Sequence, residues 1–175
     1  MYELQSVMSE KYVIRVKWGK FLEILKQIVL GALFHDIGHL VGLDRGLDRM
    51  VTDGFDLGTT GHERVGEEFL MQFGMPQEVV AFVRGHVDAK RYLVLKDKLY
   101  YDGLSKASKQ TLEHQGGAMS EDEAKKFENS EKFAAIIRMR QWDELAKDPD
   151  TPIESIEKYK EMCRKYLERK CIAHT

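Results

Sequence analysis

The chain has 175 residues, enough for one domain with a core of its own. Apolar residues make up 43% and charged residues 32%, and the formal net charge is -2. That balance excludes a global basic field of the kind that draws nucleic acid or an anionic membrane. Cys163 and Cys171 are eight apart, which suits neither a disulfide framework nor a zinc knuckle, so they read as reduced thiols of a cytoplasmic protein. The polar start "MYELQSVMSEKY" is not a signal peptide. No run reaches the roughly 18 apolar residues of a membrane span, and the C-terminal "CIAHT" fits no prenylation box.

In chain order, "KYVIRVKW" (11–18) is β-branched and half alternating, which predicts a strand or an irregular arm. Residues 18–34 place Trp18, Phe21, Leu22, Leu25, Ile28, Val29 and Leu33 on one helical face. The Gly-, Asp- and Thr-rich stretch 42–61 predicts a long loop. Residues 62–74 predict a helix with Val65, Phe69 and Phe73 inward and Gly74 as its stop. A helix over 76–95 starts at Pro76, where a missing N–H costs least. Another covers 105–117 and ends at two glycines. Ser120 and Glu123 form a capping box that opens one bent helix or two. "PIESIEKYKEMCRKYLERK" closes the chain as an amphipathic helix. The expected fold class is all-α: a single helical domain over 18–175, preceded by an N-terminal arm over 1–17.

Four histidines, His35, His39, His62 and His86, lie on or at the start of apolar helices. Asp36 adjoins His35, and Asp143 lies on a later helix. Ionisable groups in an apolar setting are costly unless paired or bound to a metal. Imidazole plus carboxylate suits iron, manganese, zinc or nickel, and the absence of nearby thiolates argues against a structural zinc site. Neighbouring residues on a helix differ by about 100°, so His35 and Asp36 can share one ion, or Asp36 can bridge two. His39 sits one turn after His35, as support for a ligand or as a partner of the substrate. A single helical histidine is ordinarily a surface or satisfied core residue, and an adjacent His-Asp pair is common. It is the conjunction that points to metal. His114 and His174 keep the ordinary reading.

"FHDIGH", "GHERVG", "GHVDAKRYL" and "QWDE" together resemble the HD-domain superfamily, helical proteins that bind one or two metals through H…HD…H…H…D. "HVDAKRYL", "LSKASKQTLEHQGGAMSEDEAKKFE" and "IRMRQWDE" resemble its branch of di-iron oxygenases, typified by 2-amino-1-hydroxyethylphosphonate dioxygenase. The resemblance runs from about residue 30 to about residue 165. It implies an HD-domain helical bundle holding two iron ions (Fe2+/Fe3+), with a small organophosphonate and O2 as partners. It implies cleavage of a carbon–phosphorus bond to give glycine, or an N-substituted analogue, and phosphate. Carried over by position, His35, Asp36 and Asp143 serve one iron. Asp36 bridges to the other, held also by His62 and His86. Lys90, Ser108, Gln115 and Arg140 grip the phosphonate, and His39 is the catalytic candidate. The spacing agrees: Ser108 and Gln115 share a helix face, as do Arg140 and Asp143, and as do His86 and Lys90. By spacing alone, Lys90 and Arg140 would read as solvated helix charges.

The alternative on the same scaffold is an HD phosphohydrolase using manganese or another divalent metal and an activated water. One departure from the pattern stands out. The family has a further histidine on a helix upstream of His35, near Lys11 here, and no histidine precedes His35. Tyr2, Glu3, Glu10 and Tyr12 are the only candidates for the family's tyrosine and glutamate lid, and none is assignable. The expectation is a chain whose first helix is replaced, or a homologue with a depleted first iron site and no activity. Nothing in the sequence speaks to oligomeric state.

Overall fold

A computed structural model describes residues 21–146, 150 and 154–172, without the side chains of 170–172. The expected arm over 1–17 and its strand therefore lie outside the described residues. Helix α1 covers 21–34. There follow α2 (Ile37–Asp44), β1 (Arg49–Thr52), β2 (Phe55–Thr59), α3 (His62–Gln72), α4 (Gln77–Lys96), α5 (Lys98–Gly103), α6 (Lys106–His114), α7 (Glu121–Glu128), α8 (Phe133–Leu145) and α9 (Ile156–Ile172). The fold is all-α, with one two-stranded ribbon set into it.

Helix α4 is the central post. Val79, Val80 and Val83 join Leu30, Leu70, Met75 and Tyr166 in one buried cluster. Phe82 and Ala89, from the same helix, join Ile136 and Met139 of α8 in the other. Burying each large apolar side chain contributes about 1.5–3 kcal/mol, so α4 is anchored on two sides. The sequence signals at the helix ends hold. Pro76 precedes α4, and the Ser120–Glu123 capping box opens α7, a helix separate from α8; Ser105, which the sequence reading did not single out, caps α6.

Three local expectations need correction. The stretch 42–61 is not a long loop. Its first residues finish α2, and the rest forms a hairpin pairing Arg49 with Thr59, Val51 with Asp56, and Thr52 with Phe55. Asp53 and Gly54 turn it at φ 54° and 78°. That is the geometry for which Asp-Gly is favoured in two-residue hairpins. On α1 the inward face is centred on Gln27, Leu30 and Gly31, while Phe21, Leu22 and Leu25 are exposed. A Cβ at Gly31 would lie 2.5 Å from the Cβ of Phe82, so the helix leans on α4 through that glycine. On α3 the buried residues are His62, Glu63, Gly66 and Leu70; Phe73 lies past the helix end and is 69% exposed. Gly66 sets this face by packing against the Val83 side chain.

The stretch Phe21–Asp44 is long and apolar enough to cross a membrane by length and mean composition, although Glu23, Lys26, His35 and Asp36 interrupt its apolar run. Here it bends at His35–Asp36 and buries Leu30 in the core. Cys163 is a free, half-buried thiol whose pKa is raised by burial. The side chain of Cys171 lies outside the described residues.

Candidate metal centre and its cavity

Asp36 sits in the turn between α1 and α2 at the N-cap position of α2, yet its carboxylate makes no capping bond. It faces the histidines instead. Its Oδ1 lies 3.5 Å from Nε2 of both His62 and His86, and its Oδ2 lies 3.2 Å from Nε2 of His35. His62 is the first residue of α3, and close packing brings it there. A Cβ on Gly38 would stand 1.9 Å from the His62 carbonyl oxygen, so only glycine lets α2 press against the start of α3. His86 comes from the middle of α4. The Nε2 atoms of His62 and His86 are 2.9 Å apart.

The rings are aimed by their other nitrogens. His86 Nδ1–H donates to the Val83 carbonyl at 2.7 Å, and His35 Nδ1–H donates to the Ala32 carbonyl at 2.8 Å. A second hydrogen bond of this type orients metal-bound imidazoles and fixes their tautomer. His62 Nδ1 is buried without a hydrogen-bond partner. One nitrogen each from His62 and His86 and one oxygen of Asp36 lie within 4.8 Å of one another. Two imidazoles and a carboxylate converging so closely fit a divalent cation of the iron, manganese or zinc type, with no thiolate to favour structural zinc.

A second group adjoins the first. His35 Nε2 is 3.6 Å from Asp143 Oδ1. Asp143 Oδ2 in turn accepts from Arg140 Nη1 at 2.7 Å. Arg140 Nε donates to the Tyr100 hydroxyl at 3.0 Å, and Nη2 donates to Glu144.

Asp36, His39, His62, His86 and Asp143 line a cavity of about 220 Å³, and so do Lys90, Ser108, Gln115 and Arg140. Of the residues singled out from sequence, His35 alone is not on its wall, although it touches both aspartates. Lys90 and Arg140 are buried cations rather than solvated helix charges, at 5% and 8% exposure. Lys90 Nζ donates to Thr111 Oγ1 at 3.0 Å. Ser108 Oγ accepts from Ser105 Oγ. Gln115 Oε1 is buried with no partner, leaving an unused acceptor in the wall. Arg140 touches the cavity, but its donors are turned to Tyr100, Asp143 and Glu144, so here it braces Asp143.

Two participants were missed from sequence. Thr111 falls between Ser108 and Gln115 on the same helix face, and that 3–4 spacing was a usable signal. Tyr100 holds Arg140 from 40 residues away, for which the sequence carries no signal.

The electrostatics follow from this crowding. Burial works against the charge on Asp36, but hydrogen bonds from His35 and then His62 outweigh it and hold the carboxyl far below its usual range. Burial pulls His35 down, yet Asp36 and then Asp143 raise it to about 8. His39 is lowered to about 4 by burial and then by His62. His86 is also lowered, chiefly by burial.

The residues 14–152 match the HD domain family model, and the chain belongs to that family. It is 40% identical over 129 residues to a [1-hydroxy-2-(trimethylamino)ethyl]phosphonate dioxygenase (glycine-betaine-forming) of Leisingera caerulea, covering 73% of this chain and 63% of that protein. It is 33% identical over 131 residues to a hydroxymethylphosphonate dioxygenase of Gimesia maris, covering 75% and 63%. It is 34% identical over 140 residues to the uncharacterised protein L432 of Acanthamoeba polyphaga mimivirus, covering 80% and 62%. The chain thus spans less than two thirds of the length of each of these relatives.

Proposed function

We propose that this chain carries the centre of a cytoplasmic di-iron oxygenase that cleaves the carbon–phosphorus bond of a small 1-hydroxyphosphonate with O2. The substrate is of the 2-amino-1-hydroxyethylphosphonate type, and the products are glycine, or an N-substituted analogue, and phosphate. The observation that carries this reading is one shared cavity. The Asp36–His62–His86 trio opens onto the same 220 Å³ as Lys90, Ser108, Thr111 and Gln115. Metal ligands beside a buried cation and neutral hydrogen-bonding groups suit a dianionic phosphonate held against a metal. Two relatives named as phosphonate dioxygenases support the same substrate class.

In this reading His62 and His86 would hold one iron and His35 and Asp143 the other, with the Asp36 carboxylate available to both. The irons would supply the one-electron chemistry by which O2 attacks an otherwise unreactive C–H bond. The chain's own residues do the rest. Lys90 neutralises the phosphonate as it enters and is kept in place by Thr111. Gln115 offers an unused carbonyl oxygen to a donor on the substrate. Arg140 fixes the carboxylate of Asp143. Val87 and Met50 give the wall an apolar portion that limits water.

The test is iron loading of the protein under argon, followed by O2 uptake and phosphate release with three substrates. These are 2-amino-1-hydroxyethylphosphonate, its trimethylamino analogue and hydroxymethylphosphonate. O2 consumed one-for-one with phosphate from any of them supports the proposal. Phosphate released from nucleotides without O2 would assign the site to metal-dependent hydrolysis instead. Two metals bound with no turnover of either kind would mark an inactive homologue.

A further inference from the structure

The β1–β2 hairpin is an insertion of strand into an otherwise helical domain, and its second strand ends against His39. The Thr59 backbone N–H lies 2.9 Å from His39 Nδ1. A backbone amide can only donate, so Nδ1 must accept, and the ring is neutral with its proton on Nε2. His86 is arranged the opposite way. Its Nδ1 faces the Val83 carbonyl, which can only accept, so Nδ1 holds the proton and Nε2 is bare. Two imidazoles on one cavity wall are therefore held in opposite tautomers by backbone groups that cannot change role.

The hold on His39 is tight. Thr59 is fully buried, and its hydroxyl donates to the His39 carbonyl at 3.2 Å while accepting from Arg49 Nη1 at 3.0 Å. Arg49 Nε in turn binds both oxygens of Asp56, and Asp56 accepts from the Gly58 N–H at 2.8 Å. Gly58 has φ +107°, and a Cβ there would lie 2.4 Å from His39 Cε1 and 2.5 Å from Nδ1. The imidazole also stacks on His62, with centroids 3.9 Å apart and planes 16° from parallel. Its Nε2 is 3.9 Å from Asp36 Oδ1.

We infer that the hairpin is a clamp that fixes His39 as an Nε2–H donor facing Asp36 and the cavity, with Gly58 and Thr59 as positioning residues. In that state His39 neither ligates a metal nor takes a proton from a substrate hydroxyl. It presents one N–H to an oxygen atom held at the Asp36 end of the cavity. This assignment rests on the reading of Asp36, His62 and His86 as metal ligands only for its consequence, because the tautomer belongs to the metal-free protein.

The experiment is long-range 1H–15N correlation of the metal-free protein labelled in histidine, with His39 assigned through His39→Gln. The expected result is a proton on Nε2 of His39 and on Nδ1 of His86. Added Zn2+, a diamagnetic probe, should shift the His62 and His86 nitrogens and leave the His39 Nε2–H in place. Gly58→Ala should abolish the single-tautomer pattern of His39 and keep that of His86. In the iron-loaded protein the same change should lower kcat by about 10–100-fold with little change in KM, the scale of a misplaced group. Thr59→Ser keeps both donors and should keep the tautomer. If Gly58→Ala fails to fold, His39→Gln against His39→Leu decides: the amide, which still offers an N–H, should turn over about tenfold faster. A proton on Nδ1 of His39, loss of its Nε2–H on adding Zn2+, or equal turnover of the Gln and Leu variants would overturn the inference. Zn2+ that moves no histidine resonance would instead overturn the metal reading and leave the tautomer standing.

Discussion

The two halves of the candidate centre are built differently. Asp36, His62 and His86 come from the N-cap of α2, the start of α3 and the middle of α4, which pack in direct succession; both imidazoles are at most 5% exposed, and only Asp36, at 56%, is open to solvent. Their ligand atoms converge because Gly38 and Gly66 let the backbones touch. His35, from the turn that also carries Asp36, and Asp143, from α8, lie far apart in sequence, at 18% and 26% side-chain exposure. Asp143 is already committed to Arg140, and His35 does not reach the cavity wall. A half made by local packing is preassembled, whereas one made by distant elements depends on each of them being in place. The first should bind metal tightly and the second weakly.

Removing ligands tests that contrast most harshly. His62→Ala should lower affinity at the first half by at least about 100-fold, since even outer partners of a metal site are worth 10–100-fold. Asp36→Ala should empty both halves, because its carboxylate faces each of them. Asp143→Asn should remove only the second metal. Elemental analysis after gel filtration reads all three. A double loss in Asp143→Asn, or a full complement in Asp36→Ala, would erase the distinction between the halves.

A packing change comes next in size. Gly38→Ala places a methyl where the His62 carbonyl already stands, so α2 and α3 must separate. Overpacking of this kind costs about 1–3 kcal/mol, which for a chain of this length lowers Tm by roughly 2–12 °C at about 2–4 °C per kcal/mol. The separation also moves His62 away from Asp36, so the tight metal should weaken while binding at His35 and Asp143 is little changed. Thermal melts of the metal-free protein, paired with Zn2+ titration, distinguish this from general loosening. An unchanged melt would show that α2 and α3 do not depend on the glycine contact.

These contrasts also explain what could be read from the sequence. The helices announced themselves through 3.6-residue periodicity, Pro76, the Ser120–Glu123 box and the glycines at 116 and 117. The ligand residues stood out because imidazole and carboxylate are conspicuous inside apolar runs. The hairpin did not, because its strands are four and five residues long and its Asp53-Gly54 turn is buried in a stretch dense with other turn formers. Helix faces were only partly placed on α1 and α3: Ile28, Leu33 and Phe69 pack against the core as expected, but the faces centre on Gly31 and Gly66, which apolar counting overlooks. The brace of Tyr100 on Arg140 was invisible, since it depends on where two distant helices come to rest.

The subtlest difference between the halves is in protons. In the metal-free protein Asp36 and Asp143 overcome burial and raise His35 to about 8, so near pH 7 its ring is charged. Burial lowers His86, so its Nε2 is already bare. A cation reaching His35 must displace a proton, and one reaching His86 need not. Affinity at the second half should therefore climb up to about tenfold per pH unit below about 8 and level off above it. The first half should change little between pH 7 and 8. Calorimetric titration in two buffers of different ionisation enthalpy counts the protons released at each step. Equal counts for the tight and weak steps would mean that the His35–Asp36–Asp143 network does not control the second site, and the contrast between the halves would reduce to geometry alone.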